Sequence, residues 1–291
     1  MSKRLGIIGG SGLYEIPGVD ILESHKLDTP WGATSAPVVE CKFEEQIFFF
    51  LPRHGIGHSI PPSKINYRSN IDAFKKLGVT DVLSLSSVGS LNENLSPGVF
   101  VIINQYVDFT KNRISTFFED DIVVHVSMAI PTDERLMEIS RGCLEKLHIE
   151  YNFGGSYICI DGPQFSTKKE SRLFQKWGCD VIGMTSMPEA KLCREASLRY
   201  VNIGMVTDFD SWHPNHENVE VSNVVSTLKA NAEDAKKFIL EFILDYSKST
   251  IKNKFNSYDS LVTAKNKIKK DTAYKLKNIM PDLLKDFTEN K

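Results

Sequence analysis

Thr207-Asp208-Phe209-Asp210 sets two carboxylates on either side of an aromatic ring. In an extended segment, residues two apart point the same way, so both acids can face one ligand. Neighbouring acids also favour protonation of one of them. A protonated Asp can donate to a base nitrogen while its partner accepts from an amino group. Taken alone, the segment is more simply a loop capped by solvated acids. Arg53-His54 offers different chemistry. The Arg fork suits two phosphate oxygens, and an adjacent His can donate another hydrogen bond. A surface salt bridge is the plainer alternative, and His58 is a third candidate donor. Ser86-Ser87 ahead of Val88-Gly89 supplies hydroxyl and amide donors without charge. Gly9-Gly10-Ser11-Gly12 forms a tight turn whose amides and Ser11 hydroxyl could hold one phosphate. It is no dinucleotide fingerprint, because Glu15 stands where the last glycine belongs, and it lacks a P-loop ending. No Lys-rich loop or acidic metal pair accompanies these donors. The expected anion is therefore free phosphate as a co-substrate, with no cofactor and no metal. Phe165 and Met184 could supply flat apolar faces for a purine, or simply core.

These groups need elements to position them. Leu5–Ile8, Val38–Glu40, Gln46–Leu51, Asp81–Leu85, Val99–Asn104, Ser156–Ile160, Asp180–Met184 and Tyr200–Val206 read as strands. The run Gln46–Leu51 is apolar enough for burial on both faces. Asn70–Leu77, Glu134–Leu147, Lys168–Trp177, Pro188–Ser197 and Val221–Leu244 carry helical spacing. Strands alternating with helices predict an α/β fold. The Gly-Ser turn, the Arg-His pair, the Ser-Ser-Val-Gly segment and the Asp-Phe-Asp segment each follow a predicted strand end. Open α/β sheets bind ligands there, so one shared site is expected.

The remaining properties exclude more than they specify. The 291 residues carry a formal net charge of -2, which favours neither nucleic acid nor a membrane as partner. Charge is unevenly placed, however: Lys248–Lys291 is net +6 and all that precedes it -8. The five cysteines are widely spaced and odd in number, against both a disulfide framework and a zinc site. The first residues lack the apolar stretch of a signal peptide, and no segment reaches the roughly 18 apolar residues of a membrane span. A cytoplasmic protein is expected.

Taken together, GIIGGSGL, LPRHGIGHSIPPSKINYRSNI, SSVGSL, IDGPQFST, WGCDVIGMTSMPEAKLCREA and TDFDSW resemble the 5'-methylthioadenosine phosphorylase branch of the trimeric purine nucleoside phosphorylases. Each motif is weak alone, but their conjunction and order, from about residue 4 to 245, are specific. The resemblance implies a single α/β domain over residues 1–245, with a mixed, partly barrel-like sheet flanked by helices, assembling as a homotrimer. It implies phosphorolysis of 5'-methylthioadenosine to adenine and 5-methylthioribose 1-phosphate, a reaction of purine and methionine salvage. Ser11, Arg53, His54, Ser86, the Ser87 amide and Thr185 would hold phosphate. Met184 would contact the ribose, while Phe165 and Ser166 would line the purine pocket. Asp208 would face N7 and Asp210 would help read the 6-amino group. Val221 and Val224 would enclose the 5'-methylthio group, and His125 would arrive from a neighbouring subunit.

Ser11 and Ser86 stand where many relatives have Thr, and Gly183 where some have Asn. The larger departure is the Lys-rich segment 246–291, which reads as a solvated helical extension, or alternatively as a contact for an anionic partner. Three rival functions stay open. A 6-oxopurine or methylthioinosine phosphorylase would favour Asn at position 208. A hydrolase would have little use for Arg53 and His54 under the ribose. A non-catalytic nucleoside binder would show no turnover.

Overall fold

Leu5, Ile7, Phe48 and Phe50 join one buried cluster, whereas Ile8, Phe49 and Leu51 join another. Alternation along a strand sends successive side chains to opposite faces, so a sheet between two apolar layers follows directly. The computed structural model describes residues 3–9, 16–213, 221–250 and 255–288, with the backbone alone for 221–226, 286 and 288. Its main sheet begins with β1 (Leu5–Gly9), the exposed β2 (Asp20–His25), β5 (Val38–Phe43) and β6 (Gln46–Pro52), while the short β3 (Asp28–Thr29) and β4 (Gly32–Ala33) pair only with each other. Helix α1 (Tyr67–Lys76) leads to β7 (Asp81–Ser90), β8 (Phe100–Ile103) and β9 (Gln105–Asp108). Then come α2 (Glu134–Lys146), β10 (Tyr151–Phe153), β11 (Ser156–Cys159), α3 (Lys168–Lys176), β12 (Val181–Gly183), α4 (Ser186–Glu195) and β13 (Arg199–Phe209). The long α5 (Val221–Lys248) and the short α6 (Lys270–Lys275) and α7 (Pro281–Thr288) complete the chain.

Eleven strands form one mixed sheet in the order β10-β8-β13-β7-β1-β6-β5-β2, with β12, β11 and β9 branching from β7. The branch curls until its end, β9, lies one residue along the chain from β8, which makes the sheet partly barrel-like. Helices α2 and α5 pack on one face and α1 and α4 on the other.

Two segments expected to follow strand ends are in fact strand. Ser86-Ser87-Val88-Gly89 lies inside β7, which pairs with β13 along its whole length. On its other side β1 stops at Ser84 and β12 begins only at Gly89. Among the described residues, Leu85–Val88 thus has no strand partner on that side. Thr207-Asp208-Phe209 likewise belongs to β13, beyond a register shift between Val206 and Asp208. The shift re-aims the end of the strand, as bulges do.

The described part of segment 246–291 is not a solvated tail. Ile268, Ala273, Leu276, Ile279, Met280 and Leu283 are buried in the same cluster as α1 and α4. Asp121 accepts from the Lys269 amide and the Thr272 hydroxyl, and Asn278 donates to the buried Asp72 at 2.8 Å. Lys275 pairs with Glu119 at 2.8 Å. The apolar positions face the body of the protein, which explains why Lys-rich composition alone misleads. Among the described residues, no helix is long and apolar enough to cross a membrane.

Candidate active site

Strand ends converge where β1 and β12 leave β7 uncovered. A cavity of about 250 Å³ opens there, lined by Arg53 and His54 after β6, Ser86–Gly89 of β7, and Phe165 and Ser166 after β11. Met184 and Thr185 after β12, Thr207, Asp208 and Asp210 at the end of β13, and Leu228 of α5 line it too, with Pro62 and Ile160 among the rest. The structure therefore brings Arg53 and Asp208 to one cavity. Ser11 lies outside the described residues, as do the side chains of Val221 and Val224. His125 is exposed and does not line this cavity; its amide donates to the Ser260 carbonyl at 3.0 Å.

One end of the cavity is built from neutral donors. The Ser86 and Thr185 hydroxyl oxygens lie 3.3 Å apart, and Asn202 donates to Ser86 at 3.1 Å. Thr185 precedes α4 but its hydroxyl makes no capping bond. The Thr185 amide lies 3.3 Å from the buried Tyr157 hydroxyl. That hydroxyl also explains Gly183, since a Cβ there would meet it at 2.0 Å.

Arg53 differs from its expected form. It is 1% exposed, and its fork grips Glu189, with Nε donating to Oε2 at 2.8 Å and Nη2 to Oε1 at 3.0 Å. Further bonds run from Nη2 to Ser84 Oγ (2.5 Å) and from Nη1 to the Leu85 carbonyl (3.1 Å). Four of its five N–H groups are thus committed, and a bidentate grip on phosphate is closed to it. Burial pushes its pKa down, but Glu189 outweighs this and holds the guanidinium charged. Sequence reasoning missed Glu189, which also accepts from Ser84 and Tyr200 at 2.6 and 2.9 Å.

His54 also departs from expectation. Its Nδ1 lies 2.9 Å from the Ile60 carbonyl, an acceptor only, so Nδ1 carries the proton. Burial lowers the imidazole pKa to about 4 despite that bond. A neutral His54 then presents Nε2 as an acceptor, suited to a P–OH rather than to a bare phosphate oxygen. It stacks on His58, with ring centroids 4.1 Å apart.

The acids occupy the other end. A Cβ on Gly89 would lie 3.2 Å from Asp208 Oδ2 and 3.5 Å from Asp210 Cβ, so both acids crowd one glycine. Glycine here eases that close approach. Burial raises the Asp208 carboxyl to about 6; the Thr207 hydroxyl, at 2.7 Å, opposes the shift and Asp210 adds to it. The dominant cause is desolvation, not the mutual repulsion that spacing suggests. Asp210 is raised too, chiefly by burial, and accepts from the Ser166 hydroxyl. From Ser86 to Gly89 the strand advances roughly 10 Å, so the hydroxyl donors and the acids stand about one sugar and base apart. Phe165, 48% exposed, forms an open wall beside the acids.

This arrangement can hold an oxyanion at one end and protonate a leaving group at the other. Residues 4–244 match the family described as the phosphorylase superfamily. The chain belongs to that superfamily. It is 43% identical over 281 residues to the S-methyl-5'-thioadenosine phosphorylase of Koribacter versatilis, covering 96% of each chain. It is 48% identical over 235 residues to the enzyme of that name from Rhodospirillum rubrum, covering 81% of this chain and 80% of the relative. Among solved structures, a methylthioadenosine phosphorylase sourced from an antarctic soil metagenomic library superposes with TM-score 0.91 at 39% identity, covering 96% of this chain and 99% of the other. The Schistosoma mansoni methylthioadenosine phosphorylase in complex with adenine gives 0.82 at 35% identity, covering 86% and 93%. Coverage of 96% must reach into segment 246–291, so this superfamily member shares most of its extension with relatives. From those two relatives the extension is no departure.

Proposed function

We propose that the chain catalyses the reversible phosphorolysis of 5'-methylthioadenosine to adenine and 5-methylthioribose 1-phosphate. The observation that carries this reading is the single cavity holding uncharged oxyanion donors at one end and a carboxyl raised to about 6 at the other. Breaking a nucleoside C–N bond develops positive charge on the sugar and negative charge on the base. Phosphate held by Ser86, Ser87, Thr185, His54 and the remaining N–H of Arg53, with Ser11 as a further ligand, stabilises that cation and captures C1'. Asp208 delivers its proton to N7 of adenine as the bond breaks, and Asp210, fixed by Ser166, reads the 6-amino group. Phe165 and Met184 cover the base and the ribose, and Val221 and Val224 enclose the methylthio end beside Leu228. His125 reaches the site from a neighbouring subunit of a homotrimer, in the cytoplasm. The names of the relatives support the choice of nucleoside.

Asp208 also separates this reading from a 6-oxopurine phosphorylase. A site built for the wrong polar edge discriminates by roughly 10⁴ or more. The comparison of methylthioadenosine, adenosine and methylthioinosine as sources of free base tests it. Base release favouring the 6-amino nucleosides is expected, and a preference for methylthioinosine would refute the assignment.

A further inference from the structure

The connection between β9 and α2 contains Arg113, whose side chain is 3% exposed and does not line the cavity. Its guanidinium gathers three segments that do. Nη1 donates to the Met184 carbonyl at 2.8 Å, in the turn between β12 and α4, and to the Met187 carbonyl at 2.6 Å, in the first turn of α4. Nη2 donates to the Asp161 carbonyl at 2.9 Å and lies 3.3 Å from that of Ile160, in the loop after β11. Nη2 and Nε reach the Ser63 hydroxyl at 3.1 and 3.3 Å, ahead of α1, and Nε stands 3.3 Å from Asp161 Oδ1. Each segment supplies a wall of the site: Met184 and Thr185 from the first, Ile160 and Phe165 from the second, Pro62 from the third. A planar fan of fixed donors can address carbonyls on two segments and a hydroxyl on a third at once; a lysine ammonium is a point charge on a flexible stem and cannot.

We propose that Arg113 is a positioning residue, holding the Met184–Thr185 turn in register with the Ile160–Ser166 loop. The oxyanion donors and the purine wall then meet one nucleoside in a reactive geometry. The inference rests on the phosphorolysis reading above. Displacement of a reacting group by about 1 Å costs on the order of 10²-fold in rate, and Arg113 spans the two walls whose separation sets that distance.

The test compares wild type with Arg113→Lys, assaying adenine release from methylthioadenosine with inorganic phosphate. Rates are expressed per folded molecule, with each protein held about 20 °C below its own Tm. The lysine variant is expected to lose about 30- to 100-fold in kcat while the nucleoside KM changes less than about threefold. A lowered Tm with unchanged kcat would show a structural role alone and overturn the proposal. Should the lysine variant fail to fold, the Ser63→Ala, Asp161→Asn pair loosens the loop side with Arg113 in place. About fivefold lower kcat is expected there, and an unchanged kcat overturns the proposal equally. Wild type that releases no adenine would instead remove the functional reading, and the role of Arg113 with it.

Discussion

Glu189→Gln removes one charge from the most deeply buried ion pair beside the site. Arg53 is 1% exposed and Glu189 2%, and Glu189 accepts four hydrogen bonds from Arg53, Ser84 and Tyr200. Glutamine has the same shape but offers an NH2 where one carboxylate oxygen stood. Hydroxyl groups of Ser84 and Tyr200 can rotate to accept from it; the guanidinium of Arg53 cannot. A buried positive charge is left without its counter-charge, and breaking a buried pair in this way costs about 3–5 kcal/mol. For a chain of this size each kcal/mol lowers Tm by about 2–4 °C, so a fall of about 6–20 °C is expected. Thermal unfolding followed by circular dichroism at pH 7, at one protein concentration, reads it directly. A Tm within about 2 °C of wild type would refute the reasoning, since Arg53 would then not depend on Glu189 for its charge.

Asp208→Ala is expected to lower kcat by about 10²–10⁴-fold while leaving phosphate binding intact, and near-normal turnover would reject its role as proton donor. In the wild type, turnover should fall as pH rises through the Asp208 value of about 6, as moved by bound substrate, because only the protonated carboxyl can donate. Glu195 is raised from 4.5 to about 7 by burial, against bonds from the Phe117 amide and the Thr116 hydroxyl, both 2.7 Å. Its folded form binds the proton more tightly than its unfolded form, so its stabilisation is complete below about 4.5 and is lost as pH rises through about 7. Glu195→Gln should flatten the decline of Tm across that window, and an unaltered Tm–pH curve would contradict this. Leu276→Ala, in the docked extension and 1% exposed, should cost about 2–5 kcal/mol; an unchanged Tm would mean that the extension is not packed on the body.

Periodicity in the sequence located most elements because both layers of the core are strongly apolar. Gln46–Leu51 is the clearest case, with Phe48 and Phe50 on one face and Phe49 and Leu51 on the other. Polar strands were invisible to the same signal. Asp20–His25 is an exposed edge strand held by pairing with β5, and nothing in DILESH alternates. Ser86–Gly89 and Thr207–Phe209 carry turn residues but are held extended by the ladder between β7 and β13, where Ser86–Val88 pair with Gly204–Val206 and Gly89-Ser90 with Asp208-Phe209. The gathering of Arg53, Ser86 and Asp208 was legible because each follows an apolar run, although Ser86 turns out to lie inside β7. Glu189 and Arg113 were not, since their partners lie far away in sequence, more than a hundred residues for Glu189 and Arg53. A signal for the docked extension did exist: Leu276, Ile279, Met280 and Leu283 recur at helical spacing among the lysines.

The central claim is that an oxyanion bound near Ser86 and Thr185 attacks the same sugar whose base Asp208 protonates. Product analysis of methylthioadenosine incubated with the enzyme, with and without inorganic phosphate, tests it most directly. Adenine should form together with a sugar 1-phosphate, and only when phosphate is present; adenine released at full rate with free methylthioribose in its absence would contradict the account.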